Sequence, residues 1–205
     1  MSQLTDVYDQ IRVCKKCELS KGRTNTVPGE GPENAEIMMI GEAPGFHEDR
    51  EGRPFVGAAG KFLDELLGNI QLKRNQIYIC NVLKCRPPQN RDPFPDEMEA
   101  CKSYLDKQIE LIKPKVIITI SRFAMSRWFP DAKISSIHGK PKKVGDMVIL
   151  PMYHPAAALH QPSLKSVLQE DFNKIPQILK EMANLKEEKS EPKKEPPAPQ
   201  QLSMF

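Results

Sequence analysis

The chain has 205 residues and a formal net charge of +3, with 39% hydrophobic and 28% charged residues. That length suits one domain of about 150–200 residues with its own core, plus a tail. The basic excess is mild: it permits a nucleic-acid face without demonstrating one. The N-terminus lacks the positive-then-apolar pattern of a secretory signal, and no apolar run is long enough to span a bilayer. The expectation is a soluble, cytoplasmic protein. In a reducing compartment its five cysteines point to metal binding or catalysis rather than to a disulfide framework.

Residues 4–12 place Leu4, Val7, Tyr8 and Ile11 on one face and read as a helix. It runs into Cys14-Lys15-Lys16-Cys17, a spacing that can grip one metal with two thiolates. Ile37-Met38-Met39-Ile40 reads as a buried strand ending at Gly41. The following Gly41-Glu42-Ala43-Pro44-Gly45 is a Gly- and Pro-rich turn, and a long polar loop carries Glu48, Asp49 and Gly52-Arg53-Pro54-Phe55-Val56-Gly57. Phe55 reads as an exposed aromatic in that loop. From about Ala58 to Leu67, Phe62, Leu63, Leu66 and Leu67 recur at helical spacing. Strand, loop, helix is the arrangement in which open α/β sheets bind ligands, where loops leave the carboxyl ends of strands.

A second strand, 77–80, ends at Asn81, and the proline-rich segment to Pro93 forbids regular structure. A helix is predicted from Pro95-Asp96 to about Lys113, with acidic first-turn residues that suit the helix dipole. Val116 to Ser121 is apolar throughout and reads as a central parallel strand; a short helix is expected over 123–129. Lys140–Val144 and Met147–Leu150 look like a hairpin, whose second arm feeds a fourth strand-to-loop edge at Pro151-Met152-Tyr153-His154-Pro155. A last helix is predicted over 164–185. Strands alternating with helices argue for a doubly wound α/β domain over 1–185. From Lys186 to Phe205, four Lys balance four Glu among prolines, which reads as a disordered tail, although Leu202, Met204 and Phe205 make its end apolar.

Cys14, Cys17, Cys85 and Cys101 sit at separate loop and helix positions. Their spacing leaves an iron–sulfur cluster, a zinc ion or no metal all open, with one Cys-x-x-Cys plus two distant cysteines fitting a cluster better than a zinc ribbon. Cys80, inside a strand, reads as a small buried thiol. A nucleotide-binding P-loop around Gly60-Lys61 fails, because Phe55 stands where Gly is required and Phe62 where Ser or Thr is.

GEAPG at 41–45, GRPFVGAAGKFLDELL at 52–67, YICNVLKCRPPQNRDP at 78–93 and HPAA at 154–157 together resemble the iron–sulfur, family 4 uracil-DNA glycosylases, over roughly residues 4–180. The resemblance implies a three-layer α/β/α sandwich around a four-stranded, mainly parallel sheet. It also implies a structural [4Fe–4S] cluster on Cys14, Cys17, Cys85 and Cys101, and a monofunctional glycosylase, expected to be a monomer, that starts base excision repair by removing uracil from DNA. Such an enzyme flips the nucleotide out of the helix. By the same resemblance, Gly41, Ala43 and Phe55 contact the flipped base, Asn81 reads its edge, and His154 stabilises the leaving uracil anion. Glu48 is expected to position water and Glu42 to shape the pocket. The related family that reads GQDPY has a catalytic Asp where Ala43 stands and a thymine-blocking Tyr where Gly45 stands. Relatives that trap their product carry a His-bearing insert after the Asn motif, and none is present in 84–90. Arg86, Arg91 and Lys165 are candidate phosphate contacts, and Leu159 a candidate wedge into the duplex. Gln201-Leu202-Ser203-Met204-Phe205 resembles the sliding-clamp-binding pentapeptide of bacteria, which implies a clamp as partner.

Overall fold

The computed structural model describes residues 2–190. Its frame is a five-stranded sheet in the order β2-β1-β3-β5-β4. The strands are β1 (Ile37–Gly41), β2 (Tyr78–Asn81), β3 (Val116–Thr119), β4 (Lys142–Val144) and β5 (Met147–Pro151). Four of them run parallel. β4 pairs antiparallel with β5 through Lys143↔Val148 and forms one edge. The expected sheet had four strands. The fifth is the first arm of the anticipated hairpin, whose exposed lysines suit a charged sheet edge.

Both faces of the sheet are covered, which is why its strands read as unbroken apolar runs. On one face Met39, Ile79, Ile118 and Leu150 pack against α4 (Ala58–Asn69), α8 (Pro155–His160), α9 (Leu164–Asn173) and α10 (Ile175–Ser190). On the other, Met38, Ile40, Ile117 and Ile149 meet α1 (Gln3–Arg12), α5 (Pro95–Ile112) and α6 (Arg122–Ser126). These are the three layers of an α/β/α sandwich. The short helices α2 (Leu19–Gly22), α3 (Phe46–Glu51) and α7 (Ile134–Ile137) complete the chain order.

Helix starts follow local chemistry. The Ser2 hydroxyl accepts from the Thr5 N–H and caps α1. Pro95 opens α5, where its missing N–H costs nothing, and Glu97 reaches back to the Phe94 N–H at 2.8 Å. The single helix expected over 164–185 is two, meeting at Lys174, and the second continues to Ser190, past the predicted end at Leu185. The clamp-like peptide Gln201, Leu202, Met204 and Phe205 lies outside the described residues. No helix among the described residues is long and apolar enough to cross a membrane.

The chain leaves β1 for β2 on one side and later reaches β3 on the other. The carboxyl end of β1 is therefore a topological switch point, where such sheets open a crevice.

Candidate active site

Gly41 ends β1, Asn81 ends β2, and His154 follows β5 by three residues. Asn81 and His154 line a cleft of about 490 Å³ at the carboxyl end of the sheet, with Glu42, Ala43, Glu48, Phe55, Asn90 and Arg91 also in its walls. A larger cleft of about 640 Å³ lies at the opposite, amino end near Lys115 and Met147, but it lacks convergent groups of this kind.

Asn81 is 2% exposed, and its Oδ1 is buried without a hydrogen-bond partner. A buried orphan acceptor is costly unless a ligand fills it. The main chain of Asn81 is held from behind: the buried Lys84 ammonium donates to the Asn81 carbonyl and to Gln108 Oε1, both at 2.7 Å. Gly41 makes room for the amide. A Cβ there would stand 2.3 Å from Asn81 Oδ1 and 2.8 Å from the Phe55 ring.

Phe55 departs from the expectation of an exposed aromatic. It is 7% exposed and belongs to the core cluster while still walling the cleft. Its backbone has φ 51°, an uncommon conformation for a bulky residue. Two features hold it there. Arg74 Nη1 donates to the Phe55 carbonyl at 3.1 Å, and Gly60 lets the first turn of α4 press on that carbonyl, which a Cβ at Gly60 would meet at 1.8 Å. Neither Arg74 nor Gly60 is among the predicted site residues. The Phe55 ring lies 5.6 Å from the His154 ring at an interplanar angle of 28°.

His154 lies, as expected, in the loop after β5, where it forms the N-cap of α8. Its Nδ1 accepts from the Ala156 N–H at 3.0 Å. Burial pushes its pKa down to about 4, against the weaker opposing pull of Glu48. The ring is therefore neutral near pH 7, and because Nδ1 accepts, its proton sits on Nε2. The side chain presents one N–H donor in a site that excludes a full positive charge.

The two acids differ. Glu48, expected in a loop, lies in α3 and is committed. Its Oε1 accepts from the Val56 and Gly57 N–H groups at 2.9 and 3.0 Å, and its Oε2 from the Gly45 N–H at 3.1 Å. The Glu42 carbonyl accepts from the Leu83 N–H at 2.9 Å, but its carboxylate has no hydrogen bond or ion pair among the described residues. Its pKa is raised, first by burial and then by Asp92, with Arg122 opposing. Such a carboxylate binds a proton more readily than an exposed one.

Of the candidate DNA contacts, Arg86 donates from Nε to Asn90 Oδ1 at 2.8 Å, and Lys165 is exposed on α9. Arg91 makes a two-pronged pair with the buried Glu97 at 2.9 and 2.6 Å, so its charge is largely neutralised. Leu159 is 42% exposed on α8. Asn90, missed in the sequence among its neighbouring prolines, joins the cleft wall with φ 54°.

Beside the cleft, Cys17 packs with the buried Cys85 and Cys101, and Cys14 lies against Tyr104, one turn along α5 from Cys101. The thiols are within electrostatic reach of one another. Arg23 Nη1 donates to Cys85 Sγ at 3.2 Å, and the backbone at Leu19 and Lys84 favours the thiolates of Cys17 and Cys101 against the burial that raises their pKa. Arg23 also donates to the Cys14 carbonyl at 2.8 Å. Among the described residues no three His, Cys, Asp or Glu side chains converge tightly enough for a single metal ion. Cys80 is separate from this group: it is fully buried within β2, in the core between the sheet and α1, α5 and α6.

The sequence profile of the Uracil DNA glycosylase superfamily matches residues 28–180. A type-4 uracil-DNA glycosylase of Sulfurisphaera tokodaii is 48% identical over 188 residues, covering 87% of this chain and 86% of that protein. One of Archaeoglobus fulgidus is 48% identical, covering 87% and 94%. One of Thermotoga maritima is 42% identical, covering 85% and 93%. With a profile match over most of the chain and relatives 42–48% identical across most of both lengths, this chain belongs to the uracil DNA glycosylase superfamily, within its type-4 branch.

Proposed function

We propose that this chain excises uracil from DNA by hydrolysing the N-glycosidic bond, leaving an abasic site for base excision repair. The observation that carries the proposal is the buried, unpartnered Asn81 Oδ1 at the mouth of β2. It accepts from uracil N3–H while the Asn81 amide N–H donates to O4. Cytosine offers the opposite pattern and leaves polar groups unpaired at about 1–3 kcal/mol each, which builds to rejection by orders of magnitude. The flipped base stacks on Phe55. His154 donates from Nε2 to O2, where negative charge develops as the bond breaks, and a neutral donor fixed by its other nitrogen needs no reorganisation at that moment.

Hydrogen bonding separates the roles of the acids. With three N–H groups on its carboxylate, Glu48 orders the wall of the cleft and braces the Gly45 turn. Glu42, with free lone pairs, is the group that takes a proton from the attacking water and faces the positive charge growing on the sugar; such base assistance is typically worth 10²–10⁴-fold. Arg86 and Lys165 meet phosphates, and Leu159 fills the gap left in the duplex.

The four cysteines would hold a [4Fe–4S] cluster: Cys17 packs with Cys85 and Cys101, Cys14 lies against Tyr104 one turn along α5, and an N–H donor reaches the Cys85 sulfur, the kind of surroundings cluster thiolates have. When bound, the cluster supplies a staple. Cys14, Cys17, Cys85 and Cys101 tie the segment after α1 to the segment after β2 and to α5. At the far end, Gln201, Leu202, Met204 and Phe205 tether the enzyme to a sliding clamp; deleting residues 200–205 leaves excision from short oligonucleotides unchanged and abolishes clamp binding.

Alkali-revealed cleavage of an oligonucleotide carrying one uracil, with matched cytosine and thymine controls, tests the proposal. Breaks at uracil alone, only after alkali, are expected. Tight uracil-DNA binding without breaks would instead mean a trapping protein.

A further inference from the structure

The rim of the cleft carries apolar side chains that catalysis does not use. Four large hydrophobic residues stand exposed among the described residues: Val13, Phe46, Phe94 and Leu159. The last three border the cleft, next to its lining residues Gly45, Arg91 and His160 respectively. Phe46 has the most distinctive surroundings. It is 48% exposed at the start of α3. The guanidinium of Arg86 lies 5.1 Å from its ring centre and that of Arg50 5.7 Å, with His47 edge-on at 5.5 Å. Neither arginine is ion-paired among the described residues, so both keep their charge. They differ in freedom. Arg86 is anchored by Asn90 at 2.8 Å, whereas no hydrogen bond holds the Arg50 guanidinium.

An exposed ring flanked by unpaired cations, one of them free to leave, combines the two elements of single-strand recognition: an aromatic face for a base and positive charge for the backbone. Resting on the assignment of the cleft to uracil, we propose that Phe46 is a stacking platform for an unpaired nucleobase adjoining the flipped nucleotide on the same strand. As that base arrives, the Arg50 guanidinium moves from the ring to a phosphate, while Arg86 stays in place with Asn90. A base in a single strand is free to take the platform. In a duplex the neighbour is already stacked and paired, so the platform favours single-stranded substrate.

The test compares the full-length protein with Phe46→Ala, Phe46→Leu and Phe46→Trp on a single-stranded uracil oligonucleotide and on the duplex of the same sequence. The same proteins are titrated against 2-aminopurine placed beside a 2′-fluorinated deoxyuridine, whose glycosidic bond resists cleavage. The expected result is a rise of about tenfold in KM on single strands for Phe46→Ala and Phe46→Leu, in line with the loss of one stacked base. Their kcat and their duplex KM stay unchanged, Phe46→Trp behaves as wild type, and 2-aminopurine quenching is lost only with Ala and Leu. A KM that moves equally on both substrates, a Leu variant as good as Trp, or quenching indifferent to Phe46 would overturn the proposal, since each is what mere packing of two arginines predicts. Failure of the wild type to excise uracil from either substrate would remove the site that the platform serves, and is read separately from all of these.

Discussion

At the scale of single residues, selectivity depends on where one acceptor points. Gly41 is the residue that lets Asn81 Oδ1 face the cleft, so Gly41→Ala is expected to displace both the amide and the Phe55 ring. Steady-state rates on uracil DNA should show kcat/KM reduced by about 10²-fold, equivalent to losing one or two well-made hydrogen bonds, with the fold intact by circular dichroism. The protonation states of Glu42 and His154 give a second expectation. Glu42 has its pKa raised, chiefly by burial, so it loses its capacity as a base while pH is still above the ordinary carboxylate value. His154 charges only near pH 4. The acid limb of kcat/KM therefore belongs to Glu42: activity falls as pH drops through its raised pKa, and Glu42→Gln removes that limb along with most of the rate. The His154 effect on stability has the opposite origin. Its unfolded form binds a proton below about pH 6.5 and its folded form only near 4, so stability falls as pH is lowered between those values. A histidine resonance that titrates near 6.5 in the folded protein and vanishes in His154→Ala would contradict this.

At the scale of elements, the site depends on short connections fastened by hydrogen bonds. Glu48 fastens α3 to the turn before α4 through the N–H groups of Gly45, Val56 and Gly57. Glu48→Ala orphans all three and should cost about 2 kcal/mol, read as a lower urea midpoint with an unchanged slope. Glu48→Gln keeps one oxygen for Val56 and Gly57 but turns an NH₂ toward the Gly45 N–H, so its loss is smaller. Its kcat should stay well above that of Glu42→Gln, because bracing survives a neutral isostere better than proton transfer does. These fasteners also mark the limit of what the sequence carries. The four parallel strands were legible: each is a short apolar run closed by a turn residue, and both faces of the sheet are buried. Asn81 and His154 were legible as polar residues at strand ends. The helices α3, α7 and α8 were not, because four to six residues are too few to show a helical period. Nor was the burial of Phe55, which depends on Arg74, nineteen positions away, and on the missing side chain of Gly60. The contrast between Glu42 and Glu48 was hidden for the same reason: three main-chain N–H groups from two separate turns decide it, and no side-chain pattern announces them.

At the scale of the whole molecule, the cysteine region and the cleft share their connections. Asn81 is four positions before Cys85, and the segment from Cys85 to α5 carries Pro87, Asn90 and Arg91 in the cleft wall. That segment has little regular structure apart from a single 3₁₀ turn at Pro88–Asn90, so its order comes from its ends: Glu97 and Arg91 on one side, and the thiol region with Arg23 on the other. A cluster bridging Cys14, Cys17, Cys85 and Cys101 would close both long loops at once and hold the cleft wall through them. Cys101→Ala is therefore expected to lose iron, to lower Tm by about 5–10 °C, and to raise amide exchange in 82–92 and 13–24 while leaving the sheet protected. Its affinity for uracil DNA should fall with that loosening even where the protein is still folded. Cys80→Ala is the control. That thiol is buried inside β2 and outside the group that Cys17, Cys85 and Cys101 form, so its loss should cost some packing stability but leave iron and sulfide content unchanged. Iron retained in Cys101→Ala, or lost equally in Cys80→Ala, would show that the ligand set is a different one. Iron lost with exchange in 82–92 unchanged would show instead that the staple and the cleft wall are ordered independently.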